Sequence, residues 1–132
     1  KPYIDSLYRT KPEREYTALA GSSLGGLISL YGGIKFADTF GFLGVFSPAY
    51  WINKTEIFEL VENSDFQPKT KIYTLMGGQE GAKMVEQFEE MNILLSKKLN
   101  AENLRTKLQP KAKHNEAFWR SEFEAMFKFF VE

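Results

Sequence analysis

The sequence contains no cysteine. Disulfides, zinc–thiolate centres and a cysteine nucleophile are therefore excluded, while the redox compartment stays open. Neither sign of charge is in excess, because 17 Lys and Arg balance 17 Asp and Glu. A chain without net charge argues against nucleic acid and against an anionic membrane as partners. No apolar run approaches the roughly 20 residues needed to span a bilayer. No secretory leader is visible at Lys1, and of the possible compartments the cytoplasm is favoured. Histidine is scarce too: His114 is the single one, so any imidazole chemistry has one candidate.

What is present suffices for one folded domain over residues 1–132: the chain is 43% hydrophobic and 15% aromatic, well supplied for a core. Pro2 to Arg9 reads as the end of a helix, with Tyr3, Ile4, Leu7 and Tyr8 at helical spacing. Thr10 to Glu15 is polar, contains Pro12 and reads as a loop. Tyr16 to Ala20 is a short strand candidate. Leu24 to Phe36 is a small-residue-rich helix with Leu24, Leu27, Ile28 and Tyr31 on one face. Phe42 to Phe46 is a continuous apolar run, as expected of a strand buried on both faces. Tyr50 to Glu62 holds a short helix or two.

A second cycle follows. Lys71 to Met76 is a strand closed by Gly77-Gly78, and Ala82 to Leu99 is a long helix with Val85, Phe88, Met91, Leu95 and Leu99 apolar. Asn103 to Gln109 alternates like a strand. Phe118 to Val131 is a last helix with a stripe of Trp119, Phe123, Met126, Phe127 and Phe130. Repeated strand–helix alternation predicts an α/β fold, a parallel sheet of about four strands covered by helices on both faces. Ligands bind such sheets beyond the carboxyl ends of the strands, so polar residues that follow strands matter most.

One hexapeptide meets that condition at once. Gly21-Ser22-Ser23-Leu24-Gly25-Gly26 fits Gly-x-Ser-x-Gly between a strand-like and a helix-like run, the setting of a nucleophile elbow. At average glycine and serine frequencies a chain of this length gives on the order of 0.04 chance matches. The alternative is a glycine-rich turn that packs a helix tightly on a strand. A serine hydroxyl is a poor nucleophile without a base in reach. His114 follows the last strand and lies at the same end of the sheet. The base needs a carboxylate to hold its tautomer, and Glu80 follows the strand that ends at Met76. Glu116 and Asp65 are the other candidates, Asp65 being misplaced before its strand. The chain order Ser23, Glu80, His114 is the order of the α/β-hydrolases.

Four segments carry a resemblance to a known family: Ala20-Gly-Ser-Ser-Leu-Gly-Gly26, Phe46-Ser-Pro-Ala-Tyr-Trp51, Gly77-Gly-Gln-Glu80 and His114-Asn-Glu-Ala-Phe-Trp119. They resemble the Putative esterase family of α/β-hydrolases, which includes enterochelin (siderophore) esterases, esterase D-like enzymes and feruloyl or acetyl-xylan esterases. The resemblance covers nearly the whole chain but matches only the carboxyl-terminal half of the family fold, so a partial α/β-hydrolase from a longer enzyme is expected.

The resemblance implies that Ser23 is the nucleophile, Glu80 the acid and His114 the base of a serine esterase. The mechanism that follows is acyl transfer through an acyl-enzyme, with the Leu24 backbone N–H as one oxyanion donor. Tyr50 and Trp51, beyond a strand end, are expected to line an acyl or aryl pocket or else to pack under a loop. Trp119 resembles an aromatic of the family site, with core packing as its other role. The partner is a small-molecule ester, and the reading calls for no cofactor and no metal. The second oxyanion donor of this fold comes from a loop after an earlier strand, which this chain does not contain, so weak activity of the bare chain is expected. The strand before Ser23 is expected to be an open sheet edge through which copies self-associate. A non-catalytic binding relative and an acyltransferase using the same three residues are the competing functions.

Overall fold

The computed structural model describes residues 1–132 as helix, then four strand–helix cycles. Helix α1 spans Pro2–Leu7 and β1 spans Ala18–Ser22, two residues later than the expected strand, with a single 3₁₀ turn at Arg14–Tyr16 across the boundary of the expected loop and strand. Helix α2 is Leu24–Lys35 and β2 is Phe42–Phe46. A 3₁₀ turn at Tyr50–Ile52 leads into α3, Lys54–Glu62. Strand β3 is Lys71–Gly77, α4 is Ala82–Lys98, β4 is Leu104–Gln109 and α5 is Glu116–Val131. The strands form one parallel sheet in the order β1-β2-β3-β4, so strand order is chain order. Strand β1 pairs with β2 alone and leaves its other edge free.

Alternation along the buried strands divides the core in two. Leu43, Val45 and Ile72 point to one face, where Leu30 of α2, Ile57 and Val61 of α3, and Met91 and Leu95 of α4 cover them. Phe42, Phe46, Tyr73 and Leu75 point to the other, where Phe118, Met126 and Phe129 of α5 close over them. Both faces of β2 are sealed, which is why its five residues read as an unbroken apolar run. Strand β4 is wetter, and its Lys107 reaches across to the buried Glu122 of α5 at 2.7 and 2.8 Å.

Two helices bury only part of the stripe expected from the sequence, Leu27 in α2 and Trp119, Met126 and Phe130 in α5. In α2 the buried face is Gly26, Ser29, Leu30, Gly32 and Gly33, and Leu24, Ile28 and Tyr31 point outward. Small residues win the sheet-facing side because the helix lies so close: a Cβ on Gly33 would fall 2.1 Å from Leu43 Cδ2. In α5 the buried positions are Phe118, Glu122, Met126 and Phe129, whereas Phe123 and Phe127 stack on each other at the surface. Of the expected stripe, only Met126 is fully buried.

Candidate active site

The turn from β1 into α2 is where the site begins. Ser23 adopts φ 58° and ψ −117°, a conformation costly for a residue with a side chain and held only when its surroundings enforce it. Those surroundings are backbone hydrogen bonds: Ser23 N–H donates to the Phe46 carbonyl at 2.9 Å, and the Ser23 carbonyl accepts from Ala49 N–H at 3.1 Å. A Cβ on Gly21 would lie 2.6 Å from the Gly25 backbone, and one on Gly26 would lie 2.7 Å from the Phe46 carbonyl oxygen. Gly25 has open space at its own Cβ position. The steric demand for glycine thus falls on Gly21 and Gly26, not on all the glycines that flank Ser23. Leu24 is the first residue of α2, so its N–H is among those left without a partner inside the helix, at the positive end of the helix dipole.

The other groups arrive on the loops that follow β3 and β4. These loops are stitched together by main-chain bonds from Gly78 N–H to the Gln109 carbonyl, 2.8 Å, and from Gln79 N–H to the Ala112 carbonyl, 3.0 Å. The approach is so close that a Cβ on Gly77 would sit 2.4 Å from the Ala112 oxygen. Asn115 caps α5 by accepting from Phe118 N–H at 3.0 Å, which fixes the chain immediately after His114.

Ser23, His114 and Glu80 come together at this end of the sheet. His114 Nε2 is 3.0 Å from Ser23 Oγ, and His114 Nδ1 is 2.7 Å from Glu80 Oε2. The Glu80 side chain is wholly buried and that of His114 is 35% exposed. An ionised carboxylate accepts only, so the Glu80 contact assigns the proton to Nδ1 and leaves Nε2 as the acceptor facing Ser23. Such an arrangement can take a proton from a serine hydroxyl and return it to a leaving group. The two other carboxylates considered stand elsewhere, Glu116 exposed in the first turn of α5 and Asp65 exposed before β3.

The second oxygen of Glu80 has its own partners. Oε1 accepts from Gly77 N–H at 2.7 Å and from the Ser47 hydroxyl at 2.6 Å. Ser47 is fully buried, holds φ 42°, and accepts from Trp119 Nε1 at 2.8 Å. The Trp119 ring also meets the His114 ring edge to face, 4.9 Å between centroids. No role for Ser47 was read from the sequence; its signal was a hydroxyl placed directly beyond a fully buried strand.

The expected pocket residues fare differently. Tyr50 does not line a pocket: it is 1% exposed and packs in the core with Ile57, Val61 and the edge of Phe58. Its hydroxyl has no hydrogen-bond partner, and burial pushes its pKa far up. The chain turns inward at the 3₁₀ segment, which carries Tyr50 under the sheet end and leaves Trp51 exposed at the surface. Trp119 borders a groove of about 450 Å³ that runs along Ala20, Gly21 and Ser22 to Phe123 and Met126.

A parallel sheet with strand order equal to chain order, helices on both faces and a serine at the tip of its first strand defines part of an α/β-hydrolase fold. The chain belongs to the esterase family described as "Putative esterase", which matches residues 1–130. A curated relative, the uncharacterized protein YbbA of Bacillus subtilis, is 31% identical over 81 residues, 61% of this chain and 32% of that protein. The enterochelin esterase of Shigella flexneri superposes with a TM-score of 0.85 at 18% identity over 99% of this chain and 34% of its own. The S-formylglutathione hydrolase of Staphylococcus aureus gives a TM-score of 0.77 at 14% identity, covering 99% of this chain and 60% of its own. The chain thus spans about a third of the length of YbbA and of the enterochelin esterase.

Proposed function

We propose that this chain carries the catalytic half of a serine ester hydrolase that works through an acyl-enzyme on Ser23. The observation that carries the reading is the hydrogen-bonded series Ser23–His114–Glu80, built on three different strand ends with the serine at positive φ. His114 takes the proton from Ser23 as its oxygen attacks the ester carbonyl. The Leu24 N–H, at the head of α2, faces the developing oxyanion. His114 then protonates the leaving alcohol, and a water activated by the same imidazole releases the acid. Family membership and the fold shared with an enterochelin esterase support a small-molecule carboxylic ester as substrate.

In α/β-hydrolases a second oxyanion donor comes from a loop after an earlier strand. Loss of one such donor costs about 2.7–4 kcal/mol, so full turnover belongs to the complete protein. The test is labelling of the complete protein with a fluorophosphonate. Covalent modification at Ser23 that His114→Ala abolishes is the expected result. Absence of label on Ser23, or label that persists without the imidazole, refutes the reading.

A further inference from the structure

The contact between Trp119 and Ser47 joins residues 72 positions apart at the one carboxylate oxygen that His114 does not use. An indole N–H can only donate, so at Ser47 the oxygen receives Trp119 and the hydroxyl proton must point elsewhere. The acceptor 2.6 Å away is Glu80 Oε1. That same oxygen also receives the Gly77 N–H at 2.7 Å, which fills it with two donors. Oε2 is left for His114 Nδ1. Ser47 is wholly buried, and a buried hydroxyl with both its roles engaged has no rotational freedom left.

We infer that Ser47 and Trp119 act together as positioning residues: Trp119 fixes the direction of the Ser47 hydroxyl, and Ser47 fixes the rotamer of Glu80, so that the carboxylate presents one defined oxygen to His114. The inference rests on the proposed Ser23–His114–Glu80 mechanism. It also accounts for Ser47 at φ 42°, where a residue with a side chain is disfavoured: a glycine would relieve the backbone and lose the hydroxyl. The edge-to-face contact of Trp119 with His114 gives the same indole a second hold on the imidazole.

The experiment uses Ser47→Ala, Trp119→Phe and the double variant in the complete protein. Trp119→Phe keeps an aromatic ring beside His114 while removing the N–H and part of the indole's bulk, so it guards against a Ser47→Ala protein that fails to fold. Hydrolysis of 4-nitrophenyl acetate is followed well below each variant's melting midpoint. Hydrogen bonds to a charged acceptor lead us to expect kcat to fall about 10- to 100-fold in Ser47→Ala with KM unchanged, and less in Trp119→Phe. The double variant is expected to be no slower than Ser47→Ala alone, because the phenyl ring keeps an aromatic contact with His114 and the lost N–H acts through Ser47.

The downfield proton resonance of His114 Nδ1–H reads the positioning without any ester and should broaden or shift in both single variants. Wild-type kcat and an unmoved resonance in folded single variants overturn the inference, as do fully additive losses in the double variant. A wild type that takes no fluorophosphonate refutes the underlying mechanism instead, and the proton resonance still decides whether Ser47 and Trp119 hold His114 through Glu80.

Discussion

Replacing Glu80 by glutamine should leave the fold standing and stop the chemistry, for a reason visible in the donor count. At present Oε1 accepts two donors, from Gly77 and Ser47, and Oε2 accepts one from His114. A glutamine has one carbonyl oxygen and one NH2. The carbonyl must occupy the Oε1 position, since an NH2 there would meet the main-chain N–H of Gly77 head-on. The NH2 then faces His114 Nδ1 and can only donate. His114 has to accept at Nδ1 and carry its proton on Nε2, which faces Ser23 at 3.0 Å. An Nε2–H cannot take the serine proton.

The wrong tautomer in a site of this geometry lowers kcat by about 10⁴-fold, which is about 5.5 kcal/mol in the barrier at 1.36 kcal/mol per factor of ten. The stability cost is much smaller. Hydrogen bonds from Gly77 and Ser47 survive as neutral ones, each weakened by about 1 kcal/mol relative to bonds on a carboxylate. Steady-state kinetics on an activated ester, with a thermal melt on the same samples, separates the two effects. A Glu80→Gln protein that retains activity within tenfold of wild type refutes the tautomer argument. A loss matched by a collapsed melting transition refutes the claim that the fold is spared.

Two other substitutions test the packing directly. Gly25→Ala should keep the melting temperature or raise it, since its Cβ meets nothing within 4 Å and alanine favours a helix by up to about 1 kcal/mol. Gly26→Ala should lower it by several degrees, because the Cβ would press to 2.7 Å on the Phe46 carbonyl and overpacking of this kind costs about 1–3 kcal/mol. Equal melts for the two would remove the steric account of this turn. Tyr50→Phe should be neutral or stabilising by about 1 kcal/mol, because it deletes a buried hydroxyl without a partner. It should also flatten alkaline unfolding. Burial raises the Tyr50 pKa above its ordinary 10.0, so above that pH the folded chain holds a proton the unfolded chain has lost. Stability then falls by about 1.4 kcal/mol per pH unit for this residue. Burial raises the Tyr73 pKa in the same direction, aided by Glu122, so part of the slope should survive in the variant. Denaturant melts between pH 9 and 11, a range set around the ordinary tyrosine value, read both effects. A slope unchanged by Tyr50→Phe would sink the assignment.

How much of this was legible beforehand depends on where the physics is local. Strands buried on both faces announce themselves, and Phe42–Phe46 is found to the residue. The long helix α4 carries its core stripe of Phe88, Met91 and Leu95 where the period puts it. Helices α2 and α5 were harder, because each has apolar residues on more than one side. In α2 the choice of buried face is made by closeness to the sheet, which favours Gly26, Ser29 and Gly33 over Ile28 and Tyr31. Periodicity weighs hydrophobicity and is blind to that. In α5, Phe123 and Phe127 stand one position from Glu122 and Met126, and only the partner across the gap, Lys107 or the strand face, decides which stripe turns inward. At the site, the Gly-x-Ser-x-Gly motif, the lone histidine and strand-end placement made Ser23, Glu80 and His114 candidates, and the structure brings these three side chains together. Ser47 and Trp119 were not legible as a pair, since no local pattern links residues so far apart. For Tyr50 the sequence left pocket and packing both open, because a position after a strand end does not reveal which way a 3₁₀ turn swings its side chain; the structure shows packing.

Because strand order equals chain order, the groups around Ser23 form a row in the order in which they leave the ribosome: Ser23, then Ser47, then Glu80, and last His114. Synthesis runs from the amino terminus at about 5–20 residues per second. The only imidazole lies 91 residues after the serine it faces, and it is fixed there by the cap of α5. A nascent or truncated chain therefore holds the serine for several seconds with no base beside it. On the proposed mechanism, a polypeptide released before the final helix is complete carries Ser23 without the imidazole it needs.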